Sequence, residues 1–173
     1  LYCHNSHLWS FHSDPIIPFN KALYFLENRK GLLDGVVFSG GEPTAHKNLL
    51  EAMQAVKGMG FQVGLHTTGM YPDHLRSVLH ACDWVGMDIK APFCSYQKIT
   101  QTEGSGAKPS ESVDIILESG IEYEFRTTVH PLLLSENEVL KIARELSVRG
   151  ANHFVLQAFQ PGGCPDEMLK NAP

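Results

Sequence analysis

Six short runs of this chain gather side chains able to do chemistry: Tyr2-Cys3-His4-Asn5, Ser39-Gly40-Gly41-Glu42-Pro43, His66-Thr67-Thr68-Gly69, Asp88-Ile89-Lys90-Ala91-Pro92, Arg126-Thr127-Thr128-Val129-His130-Pro131 and Gln157-Ala158-Phe159-Gln160-Pro161-Gly162. They mix cations, carboxylates and neutral amides, which suits a zwitterionic or mixed-charge ligand better than a simple anion. Paired glycines let a backbone approach a ligand or adopt positive φ. The same Gly40-Gly41-Glu42-Pro43 run also reads as a tight turn feeding proline into a helix. The Walker pattern and the dinucleotide fingerprint are absent, so no phosphate cradle is expected. Asp88 and Lys90, two apart on an extended segment, point to one side, either as a salt-bridged strand end or as a ligand pair. Cys3 with His4, His7 and His12 offers one thiol at a spacing that matches no common structural zinc site.

These runs need a scaffold that brings them to one place. Residues 35–38, 61–65, 84–89, 123–129 and 154–156 read as buried strands, each closed by Gly, Pro or Thr. Helical apolar spacing covers residues 19–26, 48–59, 72–81, 110–118 and 136–146. Thr44, Ser110 and Ser135 stand where N-caps belong, and Gly60, Gly120 and Gly150 where helices end. Strand–helix alternation predicts βαβ units and a parallel sheet. In such sheets ligands bind at the carboxyl ends of the strands, which is where five of the six runs fall. The first helix has no strand before it, and the connection over residues 91–109 is unusually long for a compact domain.

The chain has 173 residues with 14 basic and 19 acidic side chains, a net charge of −5. That length predicts one domain over residues 1–173. The acidic balance argues against nucleic-acid binding through phosphate neutralisation. No apolar run is long enough to span a membrane and no secretory signal is visible. Four scattered cysteines predict a reducing cytoplasm, with Cys82 as a small core residue and Cys94 and Cys164 incidental.

Taken together, the runs resemble the radical S-adenosylmethionine (SAM) enzymes, and within them the activating proteins of anaerobic ribonucleoside-triphosphate reductase. The family signature is C-x3-C-x2-C with an aromatic before the third cysteine. Tyr2-Cys3-His4-Asn5 looks like the end of that motif, and the Gly-Gly-Glu-Pro, Asp-Ile-Lys-Ala-Pro, Arg126-to-Pro131 and Val155-Leu156-Gln157 runs follow in the family's order. The resemblance implies a parallel-stranded partial (β/α)6 barrel whose first strand is missing from this chain, leaving the Val36 strand as an edge. It implies a 4Fe-4S cluster and SAM as cofactors, SAM being cleaved to a 5′-deoxyadenosyl radical that takes a hydrogen atom from a glycine of the reductase. Flavodoxin or ferredoxin is the implied electron donor.

The resemblance also distributes roles. Cys3 is the third cluster ligand, and Tyr2, His4 and Asn5 lie against adenine. Gly40, Gly41 and Glu42 meet the methionine ammonium, with Thr67 beside them. Asp88 and Lys90 meet the amino and carboxylate ends of the methionine moiety. Arg126, Gln157 and Gln160 reach the ribose, the carboxylate or the target peptide. One departure concerns His66-Thr67-Thr68-Gly69, where relatives often carry Asp-Thr-Asn-Gly; an imidazole there speaks against a monovalent-cation site, since hard cations prefer oxygen. Gln160 likewise stands where relatives often carry a basic residue or His. With one cysteine of the three, the 173-residue chain is expected to hold little iron. Two further readings share the scaffold: a radical SAM enzyme acting on a small molecule, and a SAM- or nucleotide-binding module without a cluster.

Overall fold

The computed structural model describes residues 17–162, 164 and 166–171. Its strands are β1 (Gly35–Phe38), β2 (Gln62–Thr67), β3 (Trp84–Asp88), β4 (Glu122–Val129) and β5 (Phe154–Ala158). Its helices are α1 (Phe19–Glu27), α2 (Leu49–Gly58), α3 (Pro72–Val78), α4 (Gln97–Thr100), α5 (Ala107–Ser119), α6 (Glu136–Val148) and α7 (Glu167–Lys170). The five strands form one sheet in the order β1-β2-β3-β4-β5, every neighbouring pair parallel. All five strands therefore stand where the sequence places them, and their carboxyl ends share one rim.

The sheet is two-faced, which corrects the expectation of fully buried strands. Parallel partners share a face and successive residues alternate. One face carries Val63, Leu65, Val85, Met87 and Phe125, all fully buried. Against them pack Met53 and Val56 of α2, Leu75 and Val78 of α3, Val113 and Ile116 of α5, and Ile142 and Leu146 of α6. Each such side chain stabilises the fold by roughly 1.5–3 kcal/mol on leaving water. The opposite face carries His66, Trp84, Asp88, Glu122, Glu124, Arg126 and Thr128, polar or half-exposed apart from Arg126, which is buried. Contiguous apolar runs hid this alternation, because the small Gly64 and Gly86 occupy polar-face positions.

Local capping explains where the helices start. Ser135 and Glu138 form a reciprocal capping box on α6, as expected for Ser135. Lys98 and Ser135 hold the Glu138 carboxyl down to about 2. Ser110 is not a cap: α5 begins at Ala107 after Gly106, and Pro109 sits in its first turn, where a missing N–H costs nothing. Thr44 is not a cap either, since it lies inside a 3-10 turn (Pro43–Ala45) capped by the Glu42 carboxylate. The connection over residues 91–109 is folded rather than open, built from a 3-10 turn (Phe93–Ser95), α4 and the start of α5 around buried Tyr96. No helix among the described residues is long and apolar enough to cross a membrane.

Candidate functional site

At the rim, the turn after β1 opens with Gly40 at φ +117°, a conformation that glycine alone adopts without strain. Gly40 and Gly41 are exposed, while Glu42 turns inward. Its Oε1 accepts from the Thr44 amide (3.1 Å), the Thr44 hydroxyl (2.6 Å) and the Thr67 hydroxyl (2.8 Å). Its Oε2 accepts from the Thr68 amide (2.7 Å) and the Thr68 hydroxyl. Five donors meet a carboxylate with about four lone-pair sites. Glu42 is therefore a strut tying the β1 turn to the end of β2. Below it, Gly69 takes φ +71°, and a Cβ there would strike Met87. Ser112 of α5 donates to the Gly69 carbonyl at 2.8 Å, and His74 of α3 contacts the Thr44 carbonyl at 2.8 Å. The two turns thus rest on helices rather than on solvent.

A charged network continues across the rim. Lys90 donates to Asp88 Oδ2 at 2.9 Å, and Arg126 approaches Oδ1 through Nε (3.2 Å) and Nη2 (3.1 Å). Burial alone would raise the Asp88 carboxyl, but Lys90 and Arg126 outweigh it and hold it below its ordinary range. Arg126 also reaches His66 Nε2 through Nη1 at 3.1 Å, and His66 Nδ1 lies 3.4 Å from the Ser39 hydroxyl. Burial, then the Arg126 charge, lowers His66, with Asp88 and Glu124 opposing. Tyr96 braces the same turn: its oxygen accepts from the Lys90 amide (3.0 Å) and its hydroxyl donates to the Asp88 carbonyl (3.4 Å). Two cations, Lys90 and Arg126, thus converge on the Asp88 carboxylate, with Glu124 lower on the same face.

Lower on the polar face the Trp84 ring passes over Gly86 and reaches Gly64; a Cβ at Gly86 would lie 2.5 Å from it. His66 meets that ring edge-on at 5.5 Å. On β4, Glu122 and Glu124 stand beside Trp84 and Gly86.

The structure brings Glu42 and Thr67 together in one cluster and Asp88, Lys90 and Arg126 in another, with Ser39 and His66 between them. Gly40 and Gly41 lie in the chain between Ser39 and Glu42. Gln157 shares the polar face with Arg126 but is exposed on the edge strand β5, and Gln160 lies beyond that strand, also exposed. Among the described residues no hydrogen bond ties either of them to the network. Tyr2, Cys3, His4 and Asn5 lie outside the described residues. Sequence reasoning placed His66 on the rim but gave it no role in the site, and it missed Tyr96. The period-two run His66, Trp84-Gly86-Asp88, Glu122-Glu124-Arg126 was the available signal for His66; nothing local marked Tyr96. Among the described residues no three His, Cys, Asp or Glu side chains cluster as a metal site. Cys82 and Cys164 are buried and Cys94 is exposed.

Residues 1–146 match the family model of the Radical SAM superfamily. A Methanocaldococcus jannaschii protein named as a glycyl-radical enzyme activating enzyme is 29% identical over 147 residues, covering 81% of this chain. The chain spans between 50% and 60% of the length of the curated relatives it matches. Among solved structures, a domain of pyruvate-formate lyase-activating enzyme from Bacteroides vulgatus superposes with a TM-score of 0.62 at 17% identity, covering 79% of this chain and 88% of that one. Streptococcus suis SuiB bound to S-adenosylmethionine gives a TM-score of 0.69 at 10% identity, covering 92% and 38%. At these identities the structural likeness shows the fold, an α/β partial barrel of parallel strands, as the sequence implied.

Proposed function

The chain belongs to the radical SAM superfamily, and we propose that its strand-end rim holds S-adenosylmethionine within a glycyl-radical activating enzyme. The observation that carries the reading is the Lys90–Asp88–Arg126 group, joined through His66 to Ser39 at the start of the exposed Gly40-Gly41 turn. Its two cations suit a carboxylate, and charge-assisted contacts from Lys and Arg are the strong ones for that group. Because the Glu42 carboxylate is taken up by five donors, the backbone of the Gly40-Gly41 turn, rather than that side chain, would meet the ligand's ammonium. The chemistry of the donor set thus fits the methionine end of SAM.

The described residues do not account for an iron–sulfur cluster. Cys82 lies on the helix side with its thiol pushed up to about 12 by burial, far from thiolate character. Cys94 and Cys164 form no group with it, and Cys3 lies outside the described residues. When bound, a 4Fe-4S cluster and SAM supply reductive cleavage of a sulfonium carbon–sulfur bond. What this part of the chain does is bind SAM, orient its methionine end and hold the rim rigid around it. The target in this reading is a glycyl-radical enzyme, more narrowly anaerobic ribonucleoside-triphosphate reductase, with a flavodoxin or ferredoxin as electron donor. The relative named as an activating enzyme supports the broader class.

Calorimetric titration of the 173-residue chain with SAM tests the binding step. Lys90→Met should weaken binding at least tenfold while far-UV circular dichroism stays unchanged. A chain that binds no SAM, or a Lys90→Met variant that binds as well as the parent, would sink the reading. For the target, a chain carrying all three cluster cysteines is incubated with SAM, reductant and the reductase. A glycyl radical in the EPR spectrum is the expected result, and 5′-deoxyadenosine formed without that radical would point to a different substrate.

A further inference from the structure

His66 stands at the centre of the rim, yet nothing in the family's motifs gives an imidazole a task there. Its surroundings define one. A guanidinium has donors and no acceptor, so the 3.1 Å contact between Arg126 Nη1 and His66 Nε2 requires Nε2 to accept. The ring proton then sits on Nδ1, facing the Ser39 hydroxyl at 3.4 Å. The same guanidinium holds Asp88 through Nε and Nη2, so His66 fixes the third corner of a fork whose other corners grip the carboxylate. Edge-on contact with Trp84 keeps the ring in that orientation.

We propose that His66 is a positioning residue whose neutral imidazole locks Arg126 onto Asp88, so that the rim loses affinity for SAM when the ring takes up a proton. Protonation puts a hydrogen on Nε2 that faces the Nη1 donor, opposing two donors and two like charges at 3.1 Å. Arg126 must then swing away, and Asp88 keeps Lys90 alone. The groups facing the ring are Arg126 and Glu124 from β4, Asp88 from β3 and the uncharged Ser39 after β1. The two carboxylates favour the proton; burial and Arg126 disfavour it and prevail, so the ring is neutral near pH 7. The ligand half of this inference rests on the SAM reading above; the lock itself does not.

Two measurements on the 173-residue chain separate them. Long-range proton–nitrogen NMR of the imidazoles, with His66 identified by its loss in His66→Gln, should show the Nδ1–H tautomer. It should also show a titration that moves to higher pH in Arg126→Gln. SAM affinity, measured by calorimetry from pH 8 to 5, should fall by up to tenfold per pH unit as His66 titrates. His66→Gln keeps an acceptor without a proton to gain, so it should bind several-fold more weakly at pH 8 with no slope. His66→Leu, with no acceptor, should bind more weakly still at every pH. An Nε2–H tautomer, or a titration indifferent to Arg126, overturns the lock. Tight SAM binding that stays flat across the His66 titration overturns the proposal and leaves the SAM reading standing. Failure to bind SAM at any pH, with the expected tautomer present, overturns the SAM reading instead, the lock then being scored by the imidazole spectrum alone.

Discussion

Replacing Glu42 by Gln tests whether that carboxylate is a strut or a ligand contact. The change is nearly isosteric but swaps one oxygen for an NH2 group. Five donors converge on the two oxygens, and three of these are hydroxyls that can rotate and accept from an amide. The other two are the backbone amides of Thr44 and Thr68, one on each oxygen, and they cannot turn. Whichever way the new amide is oriented, one backbone N–H faces a donor. A part-buried unsatisfied donor costs about 1–3 kcal/mol, and the surviving bonds lose their charge assistance, so the total is about 2–4 kcal/mol. For a domain of this size that is a fall in Tm of roughly 5–15 °C. Urea unfolding followed by far-UV circular dichroism, without ligand, reads the loss directly and should show an unchanged m-value. A double-mutant cycle with Thr68→Val should give non-additive losses, because the two side chains share a bond. If the variant loses less than about 1 kcal/mol, below the orphaned-donor range, yet binds SAM much more weakly, the carboxylate serves the ligand and the strut argument is wrong.

The rim network also sets an acid limit on stability. His66 is lowered in the folded state, so as pH falls below its unfolded value of about 6.5 the unfolded chain takes up that proton first and the fold loses stability. Asp88 is lowered too, and its contribution is present above about pH 4 and lost as pH falls through the folded value. Urea midpoints should therefore drop between pH 7.5 and 5.5, with a smaller drop in His66→Gln; an identical drop in both would count against this assignment. Thiol accessibility gives a separate check. At pH 8 a disulfide reagent should label exposed Cys94 before the other described cysteines, and peptide mapping should find buried Cys82 and Cys164 modified only after unfolding. Rapid modification of Cys82 in the native chain would contradict its placement in the core.

Strand positions were legible because apolar runs bounded by Gly, Pro and Thr leave little else for residues such as 35–38 and 84–88 to be. The rim followed from topology, since parallel strands put Ser39, His66, Asp88 and Arg126 at the same end. Two things were not legible. The bonds that brace Glu42 come mostly from Thr67 and Thr68, 25 and 26 residues on, and no local pattern announces a bond between two turns. Residues 91–109 read as one long connection because Gly104 and Gly106 break the helical period. Gly106 is small because a Cβ would strike the Phe93 backbone, a packing demand rather than a signal of flexibility. Ser110 failed as a cap for a related reason: Pro109 reads as a helix boundary in sequence, but a first-turn proline sits comfortably inside α5.

The order of strands in the sheet carries one more consequence. Each strand pairs with the strand made just before it: Val36 with Val63, 27 residues on; Leu65 with Val85, 20 on; Val85 with Tyr123, 38 on; Phe125 with Phe154, 29 on. None of these four pairings waits for a distant part of the chain. Closing loops of this size is entropically cheap, and folding speed tracks the sequence distance that contacts must span. A polypeptide leaving the ribosome can therefore lay down β1 to β5 in the order of synthesis, each strand finding a finished edge. The rim assembles in the same order, Glu42 meeting Thr68 before Asp88 is made and Asp88 waiting for Arg126, so the Asp88–Arg126 pair is the last of these links to form.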